Sequence, residues 1–340
     1  MEAVPAVSPN GRPNLPQHSH LSLPLAPYDP TAEISQAFVS FLAAIIPGAD
    51  DRAVVRDGAT RLARRLARVL SLEDGELGSG CFVGGALGRR TAILIRGTLP
   101  TIDLFLTLTP GAETATPGAA LDATARAARA LGLSPQAIGP RAVTLREEGL
   151  RFALIPTVNE SRKGMGGRRV IPGRSTSGAS RWIPWDPLAE AAALRVLGMV
   201  HGERPRMLLA ILKAWRSHNR VPLSGYALDV LVQAFFQDRA GAVVLGGRAK
   251  PQDLFESFMA WGRNATPGGF PLPGGGRSLS VGDGWHGQAA SAYWLAVQTR
   301  QLCAKGDVPG AASIWRTLLG EAFPEALGAL DVGSGVCSRD

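Results

Sequence analysis

The stretch Gly97-Thr98-Leu99-Pro100-Thr101-Ile102-Asp103-Leu104-Phe105-Leu106-Thr107-Leu108 sets one aspartate, Asp103, inside an otherwise apolar run of strand character. A carboxylate on a buried strand is costly unless it holds a metal ion or a partner. Just upstream lies a glycine-rich segment, Val83-Gly84-Gly85-Ala86-Leu87-Gly88-Arg89-Arg90-Thr91-Ala92-Ile93. Such a turn is a common way to bring backbone N–H groups to phosphate.

Outward from this stretch, the pattern predicts a helix over about 31–46, with Ile34, Phe38, Phe41, Leu42 and Ile45 on one face. A second helix, about 50–71, would turn Val55, Leu62, Leu66 and Val69 inward. An Ala-rich helix follows the Asp103 strand at about 118–132. The runs Ala142–Arg146 and Leu150–Ile155 flank Glu147-Glu148-Gly149 and predict a hairpin with glycine in its turn. The Gly/Arg/Ser-rich stretch 160–181 reads as a loop. Helices are expected at 187–201, 205–219, 223–239, 289–305 and 308–319, with a Gly/Pro-rich loop over 264–288. Strands therefore gather in the first half and helices in the second. That is an α+β arrangement, a mixed-sheet lobe followed by an α-helical lobe. Residues 1–30 and 326–340 read as flexible tails, the first rich in proline.

The chain has 340 residues and a net charge of +8. Arginine supplies nearly all of the excess, since Lys163, Lys213, Lys250 and Lys305 are the only lysines. No dense basic run appears, so the arginines read as scattered solvated faces, or else as a bias towards phosphate. Cys81, Cys303 and Cys337 are too widely spaced for a metal knuckle or a disulfide framework, which suits a reducing cytoplasm. No apolar run nears 18 residues, and no membrane span is expected.

Further motifs follow the glycine turn and the Asp103 strand in order. Leu150-Arg151-Phe152-Ala153-Leu154-Ile155-Pro156 is a second strand, and Arg181-Trp182-Ile183-Pro184-Trp185-Asp186-Pro187 a turn into helix. Ile211-Leu212-Lys213-Ala214-Trp215 and Pro222-Leu223-Ser224-Gly225-Tyr226-Ala227-Leu228 lie in the helical half. Ala311–Pro324 closes the set with a Trp-Arg…Gly-x-x-Phe-Pro pattern. The ordered set, over about residues 33–325, resembles the bacterial CD-NTases. These are the cGAMP-synthase-like enzymes of antiphage cyclic-oligonucleotide signalling, within the DNA polymerase-β-type nucleotidyltransferase superfamily.

The resemblance implies a nucleotidyltransferase core lobe, 31–185, facing a helical lobe, 186–325, across a cleft. It also implies phosphoryl transfer by two Mg²⁺ ions, which need several carboxylates. Two Asp at i and i+2 on a strand project from one face. Here those positions are Thr101 and Asp103; the third-carboxylate position is Ala153, and the serine of the glycine turn is Gly85. One carboxylate of three remains. Glu147 or Glu148 could substitute, or be solvated turn residues. Asp103 itself either pairs with an arginine such as Arg96 or touches a single metal ion or substrate. Three extra residues, Leu94-Ile95-Arg96, also separate the turn from the strand.

The same resemblance assigns nucleotide contacts to Gly84, Gly85, Lys213, Ser224 and Tyr226. Lys213 and Ser224 would meet donor phosphates and Tyr226 a base. Each has a plain alternative: a solvated helix lysine, a helix N-cap and a packed aromatic. Trp182 and Trp185 would close the interlobe cleft. The expected function is a degenerate, nucleotide- or partner-binding member of a defence system, its ligand an NTP or an oligonucleotide. The rivals are an active synthase, the one case that needs Mg²⁺, and a nucleic-acid-binding scaffold.

Overall fold

The computed structural model describes residues 30–73, 80–162, 165–174, 178–238, 250–265, 269–273 and 278–325. The two expected tails, apart from Pro30, lie outside them. Seven strands form one mixed sheet: β1 (Cys81–Val83), β2 (Ile102–Thr107), β3 (Pro135–Ile138), β4 (Val143–Glu147), β5 (Leu150–Arg162), β6 (Met165–Arg174) and β7 (Ser180–Pro184). The order is β1-β2-β5-β4-β3, with β6 joined to β5 and β7 to β6. The β2–β5 pair is parallel and the others are antiparallel. The expected hairpin is present between β4 and β5. Glu148 and Gly149 both adopt positive φ, +48° and +80°, as a two-residue turn between twisted strands requires.

Helices α1 (Pro30–Ile45), α2 (Ala49–Leu66), α3 (Gly85–Gly88) and α4 (Pro117–Ala130) belong to the first part of the chain. Then come α5 (Pro187–His201), α6 (Arg204–His218), α7 (Gly225–Gln237), α8 (Pro251–Gly262), α9 (His286–Ala304) and α10 (Val308–Leu319). Several starts are set by side-chain caps: Thr116, Asp186, Ser224 and Asp307 each accept a hydrogen bond from the first turn.

Two large cores result. One packs Leu62, Leu66, Ala120, Leu121 and Ala128 from α2 and α4 against Ile102, Leu104, Phe152 and Leu154 of the sheet. The other unites α5–α10 and includes Ile34, Phe38, Phe41 and Ile45 of α1. Phe38 sits edge-on to Trp315 and Phe323, with ring centroids 4.8 and 5.1 Å away. Helix α1 thus packs with the helical lobe, although it precedes the sheet in sequence. By length and composition the stretch Thr31–Leu66 could cross a membrane, which the sequence did not suggest. In the fold it is two helices broken at Pro47-Gly48, and the apolar face of α1 is buried in that core.

Several expectations need correction. The stretch 160–181 is not a loop: it carries the end of β5, all of β6 and the start of β7. Its strand signal is hidden because Val170, Ile171, Pro172 and Gly173 are buried in succession rather than alternately. At Gly173 a Cβ would fall inside the side chain of Ile183 on β7, so glycine is what lets these strands approach. Helix α2 stops at Leu66, leaving Val69 exposed. Helix α8 and strand β3 were not expected. Within 264–288 the described residues form a small hairpin, β8 (Gly269–Pro271) with β9 (Ser278–Ser280), and α9 already begins at His286.

Candidate functional site

Asp103 lies one residue into β2, against the turn that links β1 to α3. The Gly84 N–H donates to the Asp103 carbonyl at 2.9 Å. A Cβ on Gly84 would enter the Phe105 ring. One on Gly85, whose φ is +59°, would collide with the Asp103 carboxylate, 2.7 Å from Cγ. The side-chain room of the turn, where relatives are expected to carry serine, is filled by the carboxylate of Asp103.

Strand register shows what stands beside that carboxylate. Asp103 pairs with Ala153 on β5, and Ala153 with Thr144 on β4. Thr101 is exposed and precedes β2. Burial pushes the Asp103 carboxyl above the usual aspartate range, and the Arg89 guanidinium opposes that rise. The cation acting on Asp103 is therefore Arg89 and not Arg96, which sits on an exposed turn. Glu147 and Glu148 offer no replacement carboxylate here. Glu147 is paired with Arg65, and Glu148 with Arg61 at 2.5 Å, both on α2. Magnesium prefers several oxygen ligands in near-octahedral array. Of the three positions Thr101, Asp103 and Ala153, only Asp103 carries a carboxylate. Among the described residues no group of three or more His, Cys, Asp or Glu could hold a metal ion.

A second constellation lies between the lobes. Asp229 of α7 is completely buried and binds two cations: Lys213 of α6 at 2.7 Å and Arg89, from the end of α3, at 2.8 Å. Arg89 also pairs with Glu190 of α5 at 2.8 Å. The Lys213 ammonium donates to the carbonyl and hydroxyl of Thr91, each at 2.7 Å. Tyr226 donates to Glu190 at 2.5 Å, lies 4.8 Å from the Trp185 ring, and has the Arg89 guanidinium 5.1 Å from its centroid. Two carboxylates balance two cations, so the cluster is neutral and its charges are paired, as burial demands. Desolvation still pulls the Lys213 ammonium below the usual lysine range, with Asp229 acting against it. Desolvation likewise raises Glu190, opposed by Arg89.

The structure thus joins Lys213 and Tyr226 but gives both protein partners. Ser224 acts as the N-cap of α7, accepting from the Ala227 N–H at 2.9 Å. Trp185 reaches Tyr226 across the lobes, while Trp182 packs on the sheet-lobe core. Arg89, Thr91, Glu190 and Asp229 were missed from sequence. The usable signal was Asp229, an acid inside the apolar run Ala227-Leu228-Asp229-Val230-Leu231-Val232.

The fold is that of the CD-NTases. Escherichia coli CdnC superposes with a TM-score of 0.62 in its structure with ATP, at 11% identity over 85% of this chain and 98% of that one. In a complex with HORMA-deltaN the same protein gives 0.61, at 12% identity over 86% and 99%. Bradyrhizobium diazoefficiens CdnG, solved with GTP, gives 0.58, at 14% identity over 85% and 96%. Vibrio cholerae DncV, a cyclic AMP-GMP synthase solved with a linear intermediate, gives 0.53, at 12% identity over 87% of both chains. No protein-family profile and no curated protein matches the sequence.

Proposed function

We infer that this chain is a CD-NTase-like protein that has kept the nucleotidyltransferase fold and given up nucleotidyl transfer. It acts by binding a nucleotide ligand or a protein partner within cyclic-oligonucleotide defence signalling, in the cytoplasm. The observation that carries this reading is the register of Asp103 with Ala153. Two-ion phosphoryl transfer needs carboxylates clustered about the attacking hydroxyl. On this sheet the neighbouring position is a methyl group, and the charged group acting on Asp103 is a cation. The neutral Arg89–Asp229–Lys213–Glu190 cluster supports the same reading. Lys213, which the resemblance assigns to donor phosphate, has Asp229 as an internal competitor for that role. CdnC's complex with HORMA-deltaN favours a protein partner as a second mode of action.

The test is direct. Purified protein incubated with the four NTPs and Mg²⁺ or Mn²⁺ is expected to yield no nucleotide product above an Asp103→Ala control. A product that disappears in Asp103→Ala would establish an active synthase and reject the degenerate reading.

A further inference from the structure

One end of the sheet carries an arginine cluster that no carboxylate among the described residues pairs with. Arg146 on β4 and Arg151 on β5 stand directly opposite each other in the hairpin register. Like charges in that position destabilise a β pair. Arg96 lies close by, in a two-residue turn closed by the Ile95–Thr98 bridge, with φ of +51° followed by Gly97 at +69°. Glu148-Gly149 in the β4–β5 turn has the same pair of positive φ values, as two-residue turns require. The Ile95–Thr98 turn includes the residues that lengthen the connection between Ile93 and Asp103.

All three arginines line a single open recess of roughly 690 Å³, and among the described residues Asp51 is the only acid lining it. The Asp51 carboxylate is already used, accepting the Gly48 N–H at 2.8 Å in the cap of α2. Arg151 donates to the Leu99 carbonyl at 3.4 Å, and none of the three arginines makes an ion pair among the described residues. Arg61 and Arg65, which reach the same hairpin, each have a glutamate there. A repulsive pair that the protein does not relieve, and the arginine at the tip of the Ile95–Thr98 turn, surround one concave space.

Strand alternation connects this recess with the Asp103 face. Arg146 and Arg151 share a face with Thr144 and Ala153, and Ala153 with Asp103. Extending the β2–β5 register by one residue sets Thr101 opposite Arg151. The face from which two metal carboxylates are missing is therefore basic at its edge.

We propose that Arg96, Arg146 and Arg151 form an oligophosphate-binding site that works without a metal ion. Guanidinium groups match phosphate oxygens in bidentate geometry and remain charged at any working pH. Among the described residues no aromatic side chain lines the recess to stack a base, so the site recognises the phosphate chain. This inference rests on the reading of the sheet face as stripped of its metal carboxylates.

Calorimetry on the full chain in EDTA tests it, with inorganic tripolyphosphate and ATP as probes. Both should bind alike, and more weakly as salt rises. Arg146→Ala and Arg151→Ala should each lower tripolyphosphate affinity by about tenfold or more, as lost charge-assisted contacts do. Arg56→Ala, an exposed arginine paired with Asp57 elsewhere, should change nothing. Arg146→Thr should also melt no lower than wild type, since it removes a repulsion. Absence of tripolyphosphate binding at millimolar concentration, or unchanged binding in the Arg146 and Arg151 variants, would overturn the proposal. So would binding of a single-stranded oligonucleotide alone. A synthase product in the NTP assay would overturn the degenerate reading, and the tripolyphosphate titration would still decide the arginine site separately.

Discussion

Asp229→Ala should be among the most damaging single changes in this protein. The side chain is fully buried and neutralises Lys213 at 2.7 Å and Arg89 at 2.8 Å. After truncation Arg89 keeps Glu190, but Lys213 keeps only the two oxygens of Thr91. Removing one partner of a buried ion pair costs about 3–5 kcal/mol, because a charge is left uncompensated. Lys213 can escape by losing its proton. At pH 7 that costs at most about 1.36 kcal/mol for each of roughly 3.4 pH units below the free lysine value, or some 4.6 kcal/mol. The two estimates agree on about 4 kcal/mol. At about 2–4 °C per kcal/mol for domains of 150–250 residues, the loss in melting temperature is roughly 10 °C. The sign with pH follows. In the variant the folded lysine titrates below the unfolded one, so the unfolded state binds more protons and stability rises with pH up to the free lysine value. Urea titrations of Asp229→Ala, Lys213→Met and the double variant at pH 7 and pH 9.5 would measure this. The double variant should recover most of the loss, since it removes the stranded cation. A loss under about 1 kcal/mol, or a double variant no better than Asp229→Ala, would refute the account of the cluster as a paired, desolvated unit.

Asp103 gives the opposite sign. Its folded carboxyl titrates above the unfolded one, chiefly through burial, so its contribution is full below about pH 3.9 and is lost as pH rises through the folded value. Asp103→Asn should therefore gain stability relative to wild type between pH 4 and pH 7 in urea midpoints; a constant difference across that range would contradict it. Ala153→Asp would set a second carboxylate about one strand spacing, ~5 Å, from Asp103. At an effective dielectric constant of 20 that repulsion is about 3 kcal/mol. The variant should melt lower than wild type and recover in millimolar Mn²⁺, and a melt insensitive to Mn²⁺ would show that this face cannot be returned to a metal site.

Much of the architecture was legible because local signals coincide with real boundaries. Asp186-Pro187, Ser224-Gly225 and Asp307-Val308-Pro309 carry the cap or first-turn proline that opens α5, α7 and α10. Gly149 between two strand-like runs made the β4–β5 turn readable, and Glu148 and Gly149 do adopt positive φ. Strand β6 was hidden because its residues Val170 to Gly173 are buried in succession, so the alternation of a half-buried strand is lost. Helix α8 did carry signals, with Pro251 in its first turn and Leu254, Phe255 and Phe258 at helical spacing. The candidate site divides along the same line. Asp103 stood out as an acid in an apolar strand, and Asp229 carries the equivalent mark on a helix. Its partnership with Arg89 joins residues 140 positions apart, and no local pattern encodes that. Lys213 shows the consequence: its motif was visible, while the carboxylate that occupies its ammonium was not.

The changes at the sheet face are physically coupled. With Ala153 opposite it on β5, Asp103 has no second acid across that strand pair. Asp103 can then turn into the space that a turn side chain would fill, which is possible only because Gly85 has no Cβ. Arg89, acting on Asp103 electrostatically, is in turn fixed by Asp229 and Glu190 from the helical lobe. Arg89, Asp229, Glu190 and Lys213 thereby tie the end of α3 to helices α5, α6 and α7. Under the function proposed above, a face with a single carboxylate repels phosphate little, and Arg146 and Arg151 on that face attract it without an intervening cation.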